Sequence, residues 1–296
     1  MITHETDVVY SRVGGAALLA DLAYPEADEL LPAIMYVHGG RWFLGARAGN
    51  SMWEDLNVVK WAERGFFACT IDYRLVGSAP APAPYEDLQC AIRWLHAHAE
   101  TYGIDPQRVY LLGDSAGGHL VSLAATLGDG PYARTGGWEE APNDIRAVIS
   151  AAGAYDLNTL DWGDAWDPCA AAADSVDRQM RAFRAAPALT LTPAQWAELD
   201  ALEPWIANRR NVRRGEEARR LASPIHQVSD ATKPILVIHS DDDFSVPVQQ
   251  ALDMVQALER AHVFHKLVHY TDKGHMAVTS DVIQETLAFI AEVERA

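Results

Sequence analysis

The chain has 296 residues, 49% of them hydrophobic, which is ample for a large buried core. Its formal net charge of -17 and sequence pI of about 4.9 describe a surface that repels phosphate backbones and anionic lipid, so nucleic acid is an unpromising partner. No stretch approaches the ~20 apolar residues that a membrane span requires.

Residues 7–13 and 16–23 read as a hairpin turning at Gly14-Gly15, an antiparallel edge for whatever follows. Short apolar runs then recur at 33–38, 66–72, 109–113, 147–151, 234–239 and 265–270. Each is rich in Val, Ile, Leu and aromatics and suits a strand buried on both faces. Helical patterns separate them. Residues 84–102 carry Leu88, Ile92 and Leu95 about one turn apart. Residues 247–261 open on a proline and place Val248, Ala251, Leu252, Val255 and Leu258 on one stripe. A similar stripe over 282–293 closes the chain. Strand alternating with helix predicts the α/β class, a mostly parallel central sheet with helices on both faces.

Between about Tyr155 and Ser223 the rhythm stops. This stretch has no convincing strand. It contains Trp162, Trp166, Trp196 and Trp205, and a helix start at Thr192-Pro193-Ala194. We therefore expect one catalytic core from residues 1–154 and 224–296, interrupted by a mostly helical cap over 155–223. Residues 209–220 mix arginines with Glu216 and Glu217 and read as a solvated helix face. The alanine- and proline-rich residues 79–84 read as a surface loop.

The N-terminus lacks the basic start and apolar run of a signal peptide. Cys69, Cys90 and Cys169 are odd in number and widely spaced, with no C-x-x-C pair, and read as reduced structural thiols. The expectation is a cytoplasmic protein.

The run at 109–113 leads into Gly113-Asp114-Ser115-Ala116-Gly117-Gly118 and then into a helical pattern. In a strand-to-helix G-x-S-x-G turn, the serine hydroxyl is lifted above the sheet edge and the flanking glycines let strand and helix approach. The helix N-terminus faces the developing negative charge. Ser115 is thus the candidate nucleophile. A tetrahedral oxyanion needs backbone N–H donors, one from the residue after the nucleophile, here Ala116. The others should come from the loop after an earlier strand, His38-Gly39-Gly40-Arg41-Trp42. Gly40 is the main candidate, with Gly39 or Arg41 as second donor. His38 reads as structural.

The general base should follow the last strand and the acid the strand before it. Of eleven histidines, His275 follows 265–270 in the tight loop Asp272-Lys273-Gly274-His275, while His119, His239 and His269 read as structural. The acid lies among Asp241, Asp242 and Asp243, which spacing alone does not separate. The remaining aspartates of the triplet read as caps or solvated charges. No second ligand cluster accompanies the triplet, so neither metal nor cofactor is expected.

Taken together, five segments resemble the α/β-hydrolase esterases related to hormone-sensitive lipase, within them the acetyl- and feruloyl-esterase-like branch. They are His38-Gly39-Gly40-Arg41-Trp42, Asp72-Tyr73-Arg74-Leu75, Gly113 through Leu120, His239 through Pro247, and Gly274-His275. The resemblance implies that Asp243 is the acid, that Asp72 and Arg74 are structural, and that the fold is the α/β-hydrolase fold. It departs from the family at Arg41, where a third glycine is common, and at Ser240, where glycine is usual and little consequence is expected. Arg41 would bring a guanidinium near the pocket and favour substrates with a carboxylate or a polar acyl group. The stretch before the first oxyanion strand is too short for a two-helix N-terminal cap, which leaves substrate selection to 155–223.

The function implied is hydrolysis of small or medium carboxylic esters through an acyl-enzyme. Trp42, Asp114, Trp162 and Trp166 are candidates for contact with substrate. A small-molecule ester is the expected partner, and a homodimer is compatible with the sequence. Three other readings are an amidase of the kynurenine-formamidase kind, a carbohydrate acetyl or feruloyl esterase, and a non-catalytic ligand receptor on the same scaffold.

Overall fold

In the computed structural model, which describes residues 1–47, 57–128, 130–132, 134–166, 192 and 215–296, the strand–helix alternation builds one sheet. Strands β1 (Ile2–Val13) and β2 (Ala16–Pro25) pair antiparallel, the expected hairpin lengthened at its outer ends. Then come β3 (Leu31–Val37), α1 (Val58–Ala62), β4 (Phe67–Ile71), α2 (Ala83–Ala97) and α3 (Ala99–Tyr102). β5 (Ile104–Asp114), α4 (Ala116–Leu127) and β6 (Ala147–Ala151) follow. A 3-10 turn at Gly163–Trp166, α5 (Gly215–Leu221) and a second such turn at Pro224–His226 precede β7 (Ile235–Ser240). The chain closes with α6 (Val248–Arg260), β8 (His265–Tyr270) and α7 (Ser280–Arg295).

The strand order is β1-β2-β4-β3-β5-β6-β7-β8. β2 meets β4 antiparallel, and every pairing from β4 across to β8 is parallel. The carboxyl ends of β3, β5, β6, β7 and β8 therefore share one sheet edge, where an open α/β sheet gathers its functional loops.

Side chains alternate between two cores, as the period of two requires. Leu111, Val148 and Val237 pack with Leu88, Leu120 and Met254 of α2, α4 and α6. Tyr110, Leu112, Ile149 and Ile238 pack with Trp61 of α1 and Val282 and Phe289 of α7. β4, β6 and β7 are buried along their whole length. β8 departs from expectation: all six of its residues are partly or wholly exposed. It is the sheet's last strand, with a neighbour on one side only. The helix expected over 84–102 is also interrupted. His98 leaves helical geometry (φ -109°, ψ 10°) while its Nδ1 meets the Trp94 carbonyl at 2.8 Å.

Of the cap expected over 155–223, residues 167–191 and 193–214 lie outside the described residues, and with them Trp196, Trp205 and Cys169. The described remainder holds no strand, and no residue of α5 is buried, in keeping with a solvated helix face. Cys69 and Cys90 are buried free thiols. Among the described residues, no helix is long and apolar enough to cross a membrane.

Candidate active site

β5 delivers Ser115 to the carboxyl edge of the sheet and α4 begins at the next residue. Ser115 has φ 51° and ψ -117°, a conformation that costs a residue with a β-carbon roughly 1–3 kcal/mol and persists only where the surroundings enforce it. Part of that enforcement is the Ser115 N–H, which donates to the Ala151 carbonyl at the end of β6 at 2.8 Å. The rest comes from the close approach of α4 to β3. A β-carbon on Gly117 would stand 1.9 Å from the Val37 carbonyl oxygen, with backbone on both sides and nothing flexible to give way. Gly117→Ala should therefore destabilise the fold by about 3 kcal/mol, read as a fall in the urea midpoint, and should lower the catalytic rate with it. An unchanged midpoint would contradict the packing.

The loop after β3 runs through three consecutive left-handed residues: Gly40 (φ 117°), Arg41 (φ 52°) and Trp42 (φ 62°). A β-carbon on Gly40 would meet the Leu44 carbonyl oxygen at 2.2 Å, so only glycine fits there. Arg41 occupies its left-handed position without that relief, which explains the glycine preference at this site.

Asp114 fixes the loop from beneath. Its Oδ1 accepts the Tyr36 hydroxyl at 2.5 Å and the Gly39 N–H at 3.2 Å. Burial raises the Asp114 pKa, and the Tyr36 hydroxyl, the nearby His275 charge and the Gly39 N–H pull the other way without cancelling it. The Gly39 amide donates to a carboxylate, so of the candidate loop donors it is Gly40 and Arg41 that fit the expectation better. Asp114, a candidate for contact with substrate, also clamps the loop.

Trp42 changes role. It is 0% exposed, and its Nε1–H donates to His119 Nδ1 at 3.2 Å. Its ring packs against Trp162 and Trp166 at centroid distances of 5.4 and 5.3 Å. Trp166 is buried too. Both rings, with that of His119, form a buried aromatic cluster. Only Trp162 is partly exposed. Its Nε1–H donates to the Ser245 carbonyl at 2.7 Å, and the Arg41 guanidinium lies over its ring at 4.9 Å. With Nδ1 of His119 accepting from Trp42, Nε2 carries the proton and donates to the Ala222 carbonyl at 2.7 Å. Burial pushes the His119 pKa down to about 4. His38 is structural as expected: its ring stacks on Tyr73 and its carbonyl accepts the Tyr73 hydroxyl.

The loops after β7 and β8 bring Asp243 and His275 together. His275 Nδ1 lies 2.8 Å from Asp243 Oδ2 and 2.9 Å from Oδ1. The ring therefore donates from Nδ1 and keeps its lone pair on Nε2. Asp243 Oδ1 also accepts the amides of Ser245 and Val246, each at 2.8 Å. His239, fully buried at the end of β7, sets Nε2 against the Val246 carbonyl at 2.8 Å and 3.4 Å from Asp243 Oδ2. Burial would raise the Asp243 pKa. Hydrogen bonds from His239, His275 and Val246 outweigh it and hold the carboxyl well below the usual carboxylate range.

The triplet divides its work. Asp241 pairs with His269 at the surface. Asp242 is more than a solvated charge: its Oδ1 accepts Ser240 Oγ–H at 2.6 Å and the Gly274 N–H at 2.7 Å. Ser240 Oγ accepts the Lys273 N–H at 2.9 Å. Ser240, of which little was expected, thus helps fasten the turn that presents His275. A Ser-x-Asp pair leaving a strand signals local capping chemistry, but its partners lie more than thirty residues on. Asp72 binds Arg47, and Arg74 pairs with the buried Asp87, both structural roles. Among the described residues, no His, Cys, Asp or Glu cluster is arranged to hold a metal ion.

A family model described as BD-FAE matches residues 20–258. The "Probable carboxylic ester hydrolase LipM" of Mycobacterium tuberculosis is 29% identical over 259 residues, 87% of this chain and 52% of that protein. Esterase LipC of the same organism is 30% identical over 229 residues, 77% of this chain and 48% of its own. The chain spans about half the length of these curated relatives. Among solved structures, a truncated carbohydrate esterase from gut microbiota superposes with a TM-score of 0.73 at 23% identity, covering 99% of this chain and 97% of that one. The butyrate-bound esterase Est2 of Thermogutta terrifontis gives 0.70 at 22% identity, covering 97% and 92%. The shared fold is the α/β-hydrolase fold.

Proposed function

Because the chain belongs to the BD-FAE family and has the α/β-hydrolase fold, we propose that it is a serine carboxylesterase acting on small or medium esters. One conjunction carries the reading. A serine held in a left-handed turn before a helix shares a sheet edge with a histidine whose Nδ1 is bound to a buried carboxylate.

In this reading Nε2 of His275 takes the proton of Ser115 Oγ as the oxygen attacks the ester carbonyl. Asp243, ionised throughout, stabilises the imidazolium that forms. The amides of Gly40 and Ala116, with that of Arg41, hold the oxyanion, each donor contributing about 10²–10³ in rate. The imidazolium then protonates the leaving alcohol, and a water repeats the sequence on the acyl-enzyme. The machinery calls for no cofactor and no metal. Residues 155–223 form the cap over the acyl or alcohol group. A cytoplasmic setting and a homodimer belong to the same reading.

The test is covalent labelling. A fluorophosphonate probe should modify Ser115, located by peptide mass spectrometry. In parallel, 4-nitrophenyl esters of rising chain length should be turned over faster than an acetylated sugar or N-formylkynurenine. A folded protein left unlabelled overturns the esterase reading, and faster turnover of N-formylkynurenine replaces it with an amidase.

A further inference from the structure

We infer that Arg41 selects esters carrying a negative charge beyond the scissile bond, such as half-esters of dicarboxylic acids, an inference that rests on the carboxylesterase reading. The sequence holds 24 Lys and Arg against 41 Asp and Glu, so carboxylate partners are abundant. Other arginines use them: Arg47 pairs with Asp21 and Asp72, Arg74 with Asp87, and Arg108 with Asp105. Arg41 makes no ion pair among the described residues. Its guanidinium lies on the Trp162 ring at 4.9 Å and reaches Ser245 Oγ only at 3.5 Å. Both partners are neutral. The charge is left uncompensated, and most of the five N–H donors remain free for a ligand.

Its position makes that charge relevant to substrate. Arg41 directly follows Gly40 in the loop proposed to hold the oxyanion. Ser245 lies two residues after Asp243, whose Oδ1 accepts the Ser245 amide. Trp162 is tied to the same segment through the Ser245 carbonyl. The guanidinium thus bridges the oxyanion loop and the acid loop, beside the place where an ester carbonyl would sit. A guanidinium held over an indole by cation–π attraction still has N–H groups for bidentate contact with a carboxylate. Phe244, the residue before Ser245, is 86% exposed with its ring 5.8 Å from that of His275, an apolar surface for the methylenes between ester and acid. A net charge of -17 would by itself disfavour anionic substrates. Preference for one would therefore run against the whole-molecule field and require a local cation.

The experiment compares 4-nitrophenyl hydrogen adipate with 4-nitrophenyl hexanoate, equal in acyl length and different in charge. The wild type, Arg41→Gln and Arg41→Lys are assayed at neutral pH in low and high NaCl. The adipate-to-hexanoate ratio of kcat/KM should fall about fivefold in Arg41→Gln. It should be largely retained in Arg41→Lys, and the gap in that ratio between the wild type and Arg41→Gln should narrow as salt screens the Arg41 charge. A ratio that Arg41→Gln leaves unmoved, or equal losses on both esters, overturns the inference. Fluorophosphonate labelling and hexanoate turnover by the wild type separate the two levels. If both are present and the ratio does not move, selection by Arg41 fails alone. If both are absent, the esterase reading has failed.

Discussion

Ser115→Ala is expected to lower 4-nitrophenyl butyrate turnover by about 10⁶-fold while leaving the fold in place. Alanine keeps the β-carbon, so the left-handed strain at φ 51° is neither relieved nor increased. The backbone bond from residue 115 to the Ala151 carbonyl survives, as does the 5% exposure of a site that loses one oxygen. The urea midpoint should therefore shift by no more than about 0.5 kcal/mol in stability terms. What disappears is the nucleophile. The oxyanion amides would still bind an ester, leaving about 10³-fold catalysis over water. Initial rates and loss of the fluorophosphonate adduct read the two effects separately. Activity near the wild-type level would mean that another group attacks the ester.

Asp243→Asn is expected to cost about 10⁴-fold in kcat at neutral pH. Two imidazoles face Oδ2: His275 Nδ1 at 2.8 Å and His239 Nε2 at 3.4 Å. An Asn amide placed there presents N–H to a ring nitrogen that must itself donate, so His275 turns to the tautomer that has no lone pair for Ser115. An amide turned the other way keeps one acceptor but loses the charge that stabilises the imidazolium. The pH dependence has a definite sign. Because the folded carboxyl titrates below its ordinary range, its contribution to stability is present above the unfolded value of about 3.9 and is lost as pH falls through the depressed folded value. The difference in urea midpoint between wild type and Asp243→Asn should be full at pH 7 and should narrow only below about pH 4. An acid limb in kcat/KM at higher pH belongs to a group other than Asp243.

The parts of this molecule that repeat were readable in the sequence. Apolar runs at 33–38, 147–151 and 234–239 became β3, β6 and β7 almost residue for residue, because parallel strands under helices must be apolar on both faces. Ser115 was legible because its turn demands glycine at 117, a requirement written locally. Long-range contacts were not. Spacing left three aspartates equivalent, and the difference lies in which carboxylate His275 meets across the gap between β7 and β8. Trp42 and Trp166 looked available to substrate because a single sequence does not show what covers an aromatic ring. Nor does it show that the Gly39 amide meets Asp114. Sharing one charge between the oxyanion loop and the nucleophile turn is a property of the assembled edge.

His119 is flanked by an indole N–H on one side and a peptide C=O on the other, an environment with room for a single tautomer and no added proton. With its affinity for protons suppressed to about 4, mild acidification cannot undo it. The ring behaves as a rivet between Trp42 and Ala222, where the chain leaves α5. Displacing Ala222 would therefore disturb the Trp42 indole and, through it, the neighbouring peptide groups at 40 and 41.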